Sequence, residues 1–181
     1  MLKIYLTDLA SYNKGYLYGE WIDLPCNNLQ DKLEKLLKAS SALCFIEEGY
    51  YEEHEEYFIT DWEWDDVGLF EVEEYEDIFE LNNNLELLNG CSNYQLKVIK
   101  YLLVESIAKD ITDALNKVDD VIIYENQTMN DVAYDLMHEL YNIDNLPSII
   151  ANNIDYNGVA RDLEMDGRYS EIDNDIYEYI N

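Results

Sequence analysis

Tyr57-Phe58-Ile59-Thr60-Asp61-Trp62-Glu63-Trp64-Asp65-Asp66 opens as a strand and runs on into carboxylates. The aromatic and β-branched residues at 57–60 predict extended backbone. If the strand continues, Asp61, Glu63 and Asp65 share one face at intervals of about 6.6 Å. The charge around this run is one-sided: between Phe45 and Gly90 there are 17 Asp or Glu residues and no Lys or Arg. By contrast, residues 1–44 and 91–124 carry net charges of 0 and -1, and residues 125–181 carry -11 of the total of -29.

A block of this kind works against folding. Two unit charges about 6.5 Å apart in water oppose each other by roughly 0.6 kcal/mol before screening. Summed over neighbours, that is a sizeable part of the roughly 5–15 kcal/mol by which a domain is stable. Solubility alone is served by a net charge of about 2–8 in magnitude, so the excess points to a partner. Acidic composition can also mean disorder, but 48% hydrophobic and 13% aromatic residues predict an ordered chain with a core.

Working outward, Ile4 and Leu6 alternate with Tyr5 and Thr7. The turn signal Tyr12-Asn13-Lys14-Gly15 and a second alternating run, Tyr16 to Asp23, predict an antiparallel hairpin. Leu29, Leu33, Leu36 and Leu37 repeat at helical spacing behind Asn28 as N-cap, and Tyr57–Thr60 returns as a third strand. Helical stripes follow, first Tyr75, Ile78, Phe79, Leu85 and Leu88, then Leu96, Ile99, Leu102, Leu103 and Ile107. Ser92 with Gln95 forms a capping box at the start of the second, and a short helix is expected around Asp110–Lys117.

Val121–Tyr124 reads as a buried strand, and Thr128 as the N-cap of a helix carrying Val132, Leu136 and Leu140. Short helices are expected at Pro147 and around Val159 and Leu163, before a closing hairpin turning at Asp173-Asn174. The fold class expected is α+β, with three small subdomains in series. These are an antiparallel β unit with one helix (1–66), a helical bundle (67–118) and a mixed α/β unit with a C-terminal hairpin (119–181).

Cys26, Cys44 and Cys91 are odd in number and widely spaced, which argues against a disulfide framework or a zinc site. The polar first residues lack the continuous apolar stretch of a signal peptide, and a reducing cytoplasm without membrane attachment fits best. Paired carboxylates would serve a glycosidase, but 40 acidic residues supply such pairs by accident in nearly any fold. Residues 61–72 resemble an EF-hand loop until the sixth position, Asp66 instead of Gly, and the twelfth, Val72 instead of Glu. No glycine-rich phosphate loop, nucleophile elbow or H-E-x-x-H pair is present, so no catalytic, cofactor or metal residues are assigned.

Carboxylates about 6.6 Å apart on a strand, or about 5–6 Å apart at helical spacing, approach the separation of successive phosphates in B-DNA. Such rows suit a protein groove lined by Lys and Arg, whereas direct nucleic-acid binding is opposed by like charge. The candidate contact residues begin with Glu47, Glu48, Glu52, Glu53 and Glu55. They continue through Asp61, Glu63, Asp65, Asp66, Glu71, Glu73 and Glu74, then Glu76, Asp77 and Glu80. Asp131, Asp135 and Glu139 form a second, helical set. Tyr75, Tyr101 and Tyr134 keep helical spacing and are expected in the core, while Tyr50, Tyr51, Trp62 and Trp64 can pack or meet a partner.

Leu9-Ala10-Ser11-Tyr12-Asn13, Gly15, Gly19 and Trp21-Ile22-Asp23 resemble the opening of the ArdA antirestriction proteins. Glu55–Asp61 is similar to that family's central strand. Asn153-Ile154-Asp155-Tyr156 with Ala160-Arg161-Asp162-Leu163 is similar to its C-terminal signature. Ser40–His54 looks longer than the family pattern, and Gly90–Lys117 matches only in character. The resemblance implies an elongated, non-enzymatic, usually dimeric DNA mimic without cofactors. Its implied partners are the DNA specificity and methyltransferase subunits of type I restriction-modification enzymes, and its implied origin a mobile element. The electrostatics alone leave open an acidic inhibitor or regulatory module aimed at another DNA-binding protein or nuclease.

Overall fold

The alternation in Leu2–Asp8 forms β1, which buries Leu2, Ile4 and Leu6 almost completely. β2 (Gly19–Leu24) and β3 (Tyr57–Trp64) pair with it on either side, both antiparallel, so the sheet order is β2-β1-β3. β1 and β2 form the expected antiparallel hairpin, closed by a connection longer than the Tyr12–Gly15 turn alone. The Asp8 carboxylate accepts from the Ser11 N–H at 2.7 Å and starts a helical turn, α1 (Leu9–Asn13), so β2 begins at Gly19.

A computed structural model describes all residues 1–181, which divide into two compact units, Met1–Lys100 and Tyr101–Asn181. In the first, α2 (Leu29–Glu48) buries Leu29, Leu33, Leu36, Leu37 and Cys44 along one stripe. It stops at Gly49, whose φ of 80° is left-handed and whose N–H donates to the Phe45 carbonyl at 2.9 Å. Asn28 occupies the N-cap position without a side-chain hydrogen bond. α3 (Ile78–Glu86) starts at Asp77, whose carboxylate accepts from the Phe79 and Glu80 N–H groups. Tyr75 therefore lies outside the helix, 69% exposed, rather than in the core.

α4 (Asn93–Val104) begins at the expected Ser92–Gln95 capping box, and the division between the units falls inside it. α5 (Ile111–Asn116) is capped by Asp110. In the second unit, β4 (Val121–Tyr124), β5 (Tyr169–Ile172) and β6 (Asp175–Tyr179) form an antiparallel sheet in the order β4-β6-β5. Asp173 and Asn174 both take positive φ, as a two-residue hairpin turn requires. α6 (Met129–Tyr141), α7 (Ser148–Ala151) and α8 (Tyr156–Met165) complete the α+β fold.

The core of the second unit gathers Met129, Val132 and Ala133 of α6 with Ala160, Tyr169 and Ile176. Tyr101 is buried as expected and stacks on Tyr177 with ring centroids 4.8 Å apart. Tyr134 and Leu140 depart from the expected stripe, at 48% and 65% exposed: α6 buries only its first turn deeply. The three cysteines are free thiols, and no helix is long and apolar enough to cross a membrane.

Candidate functional site

The acidic block belongs to the first unit and occupies four successive settings. Glu47 and Glu48 end α2, and Glu52, Glu53 and Glu55 lie on the connection to β3. Asp61 and Glu63 lie on β3, with Asp65 and Asp66 just beyond it. Glu71, Glu73, Glu74, Glu76 and Asp77 lie on the irregular segment leading into α3, and Glu80 is in the first turn of that helix. All are exposed except the half-buried Glu48 and Glu76.

A β-bulge at Thr60 decides which way the strand carboxylates face. β1 pairs Tyr5 with Asp61 but Leu6 with Ile59, so Thr60 is the extra residue. Residues opposite each other in a ladder share a face, so Asp61 and Glu63 join Tyr5 and Lys3 on the outer face, while Ile59 joins Leu6 in the core. The expected row thus holds for Asp61 and Glu63. Asp65 lies past the strand end, and its carboxylate meets Lys3 Nζ at 3.0 Å, which holds its pKa below the usual carboxylate range.

Lys14 plays the same part on the connection. Its ammonium lies 2.5 Å from Glu52 and 3.5 Å from Glu48, lowering the Glu52 pKa by hydrogen bonding and raising its own above the ordinary lysine value. Three candidates are thus partly matched by cations from outside the block. Other carboxylates cap backbone: Asp77 caps α3, and Glu76 accepts from the Glu73 N–H at 3.1 Å.

The segment 65–77 has no regular structure, yet it is held down. Leu69 and Val72 are buried, and the Ile59 N–H donates to the Glu74 carbonyl at 2.8 Å. The Trp64 indole N–H reaches the Phe70 carbonyl at 3.2 Å. Trp64 therefore packs, while Tyr50, Tyr51 and Trp62 are exposed.

A clasp near the end of the connection, three residues before β3, gave no recognisable signal in the sequence beyond Asp8 standing three residues before Ser11. Asp8 and His54 are both buried, with Asp8 Oδ2 2.8 Å from His54 Nδ1, and the His54 N–H donates to Ser41 Oγ at 3.1 Å. The clasp ties β1, α2 and the acidic connection together. His54, considered from sequence only as a soft metal ligand, serves here as an internal tether.

In the second unit, Asp131, Asp135 and Glu139 fall at four-residue intervals on the exposed side of α6, about 6 Å of helix rise apart. Asp131 closes a capping box with Thr128, and the hydroxyl and N–H of Thr128 hold its pKa low. Asp135 accepts from Gln127 Nε2 at 3.3 Å. A search of curated proteins returns no match. The family model described as antirestriction protein (ArdA) matches residues 4–178 of the chain.

Proposed function

The chain belongs to the ArdA family of antirestriction proteins, and from that premise we propose that it inhibits restriction by taking the place of DNA. Its exposed carboxylates stand in for phosphates in the Lys- and Arg-lined groove of a type I restriction-modification enzyme, contacting the specificity and methyltransferase subunits. It acts as a homodimer in the bacterial cytoplasm, performs no chemistry and holds no cofactor.

One observation carries this reading: an uninterrupted acidic block without Lys or Arg, exposed at nearly every candidate position and anchored from beneath. Anchoring matters because a charge pattern fixed in advance binds without first being ordered. Complementary fields of this kind also speed encounter and make it salt-dependent.

The test is a competition titration against a DNA duplex on a purified type I methyltransferase core. The expected result is stoichiometric displacement at low salt, weakening as salt rises and relieved by excess duplex. Failure to displace duplex from any type I enzyme at low salt would remove the target assignment.

A further inference from the structure

The outer face of the β2-β1-β3 sheet carries an open cleft of about 620 Å³, lined by Tyr5, Thr7, Tyr12, Phe58, Trp62 and Glu74 among others. We propose that this cleft receives a single arginine side chain of the protein partner. The inference rests on the mimicry reading and adds to it a specific recognition point within a diffuse field.

The cleft is built by local geometry. Phe58 pairs with Thr7, and Asp61 with Tyr5, so the Thr60 bulge brings an aromatic ring and a carboxylate three residues apart onto one face. In a regular strand they would lie on opposite faces. Gly19, opposite Thr7, leaves room for the Tyr5 ring, since a Cβ there would lie 2.5 Å from it. Tyr12 meets Phe58 edge-on at 5.1 Å, Tyr75 stacks on Phe58 at 6.0 Å, and Trp21 meets Tyr5 edge-on at 5.3 Å. The Ile59–Glu74 backbone hydrogen bond fixes Glu74 at the cleft wall.

Several aromatic rings with one carboxylate in the wall and another, Asp61, beside Tyr5 form an environment suited to a cation. Ring faces attract positive charge, and a carboxylate supplies a hydrogen-bonding counter-ion. No lining residue is basic, and Lys3, on the same sheet face, is matched by Asp65 at 3.0 Å. Tyr12 is 46% exposed although aromatic and offers its ring at the cleft against Phe58. Arginine is favoured over lysine because its planar guanidinium stacks on rings while keeping in-plane donors for carboxylates, and it is more weakly hydrated. Nucleobases would also stack on rings, but the surrounding carboxylates repel their phosphates.

The probe is a capped Gly-Arg-Gly peptide titrated into the full chain at moderate salt and followed by backbone amide NMR, with citrulline and lysine peptides alongside. The proposal expects shifts concentrated at Tyr5, Phe58, Thr60, Trp62 and Glu74, none with citrulline, and weaker binding of lysine. Tyr12→Leu and Glu74→Gln, both at exposed positions that leave the core intact, should each weaken the arginine peptide about 5-fold or more. Shifts scattered over the acidic surface, or unaltered in both variants, would overturn the cleft. Equal affinity for lysine would overturn the choice of arginine. Inhibition of a type I enzyme by the same proteins separates the two claims. Wild-type protein that captures the peptide in the cleft yet never displaces duplex supports the cleft and counts against the mimicry. Wild-type protein that inhibits while scattering the peptide does the reverse.

Discussion

Residues 45–90 and 125–181 are both strongly acidic, but they use their carboxylates differently. In the later stretch many are tied into the fold. Asp131 closes a capping box, Asp155 caps α8 through the Gly158 N–H, and the buried Asp175 accepts from the Asn126 N–H at 2.9 Å. Glu178 accepts from the Tyr124 hydroxyl at 2.8 Å, and Asp166 meets Arg168 at 2.7 Å. In the earlier block the fold is held mainly by what lies beneath the charges: Leu69, Val72 and the Asp8–His54 clasp. Charge density read from sequence cannot separate these uses, because a capping aspartate and a solvent-facing one have the same letter. What separates them is whether a backbone donor lies within reach.

The largest expected effect comes from removing the floor under the earlier block. Leu69 is 2% exposed, so Leu69→Ala should lower stability by about 2–5 kcal/mol, the range for deleting a buried leucine side chain. Leu140→Ala, on the exposed part of α6, should change it by less than about 0.5 kcal/mol. Urea unfolding midpoints of the two variants measure the contrast. Equal, small effects would show that segment 65–77 is not anchored and that its charges are not held in place.

Neutralising the charges above that floor should do the opposite: little to the fold, much to inhibition. Changing Glu63, Asp66, Glu71, Glu73 and Glu80 together to their amides should raise the concentration needed for half-inhibition by about 100-fold at low salt. Changing Asp162, Glu164 and Glu171 in the later stretch should alter it only a few-fold. The first variant should also melt at a higher temperature than wild type at low salt, the gain shrinking as salt screens the wild-type repulsion. A dose-response titration and a salt series of melts read both outcomes. If both multiple variants inhibit equally poorly, the two regions act as one surface.

Within the later stretch, substitutions should cost stability before they cost inhibition. Asp175→Ala removes the acceptor of the Asn126 N–H from a buried site and should destabilise by about 1–3 kcal/mol. Thr128→Ala should cost about 1 kcal/mol by opening the capping box of α6. Denaturant midpoints with intact low-temperature inhibition would sharpen the division of labour. Lost inhibition at unchanged stability would move α6 into the contact surface.

Much of the fold was legible because periodicity and caps are local. The β3 strand, the Ser92–Gln95 box, the Thr128 N-cap and the Asp173-Asn174 turn each state their geometry within a few residues. Tyr75 misled because its helical spacing to Ile78 and Phe79 continues past the true helix start, which Asp77 sets by capping. The α1 turn was hidden behind a sequence that also suits a reverse turn. The candidate site was legible as a block of charge. The Thr60 bulge, the Asp8–His54 clasp and the Lys14 and Lys3 pairings were not, because each joins residues distant in sequence.

The smallest effect concerns a single carboxylate drawn partly out of the earlier block. Asp65 has a lowered pKa and Lys3 a raised one, in each case chiefly because of the hydrogen bond between them. A lowered carboxylate contributes stability above its unfolded value, about 3.9, and loses it as pH falls through the folded value. A raised lysine contributes below about 10.4 and loses it as pH rises through its folded value. The pair is therefore complete between about pH 5 and 9, and the stability difference between wild type and Lys3→Gln should be small and flat across that window. It should narrow below about pH 4, as Asp65 protonates, and again above about pH 10, as Lys3 loses its charge. Inhibition should instead improve slightly in Lys3→Gln, by less than about 3-fold at low salt, because Asp65 then keeps only the N-terminal ammonium, 3.8 Å away, and contributes more to the field of its neighbours. Weaker inhibition by that variant would mean that Lys3 orients Asp65 for contact, so that a carboxylate in the earlier block, like those in the later one, depends on its partner to function.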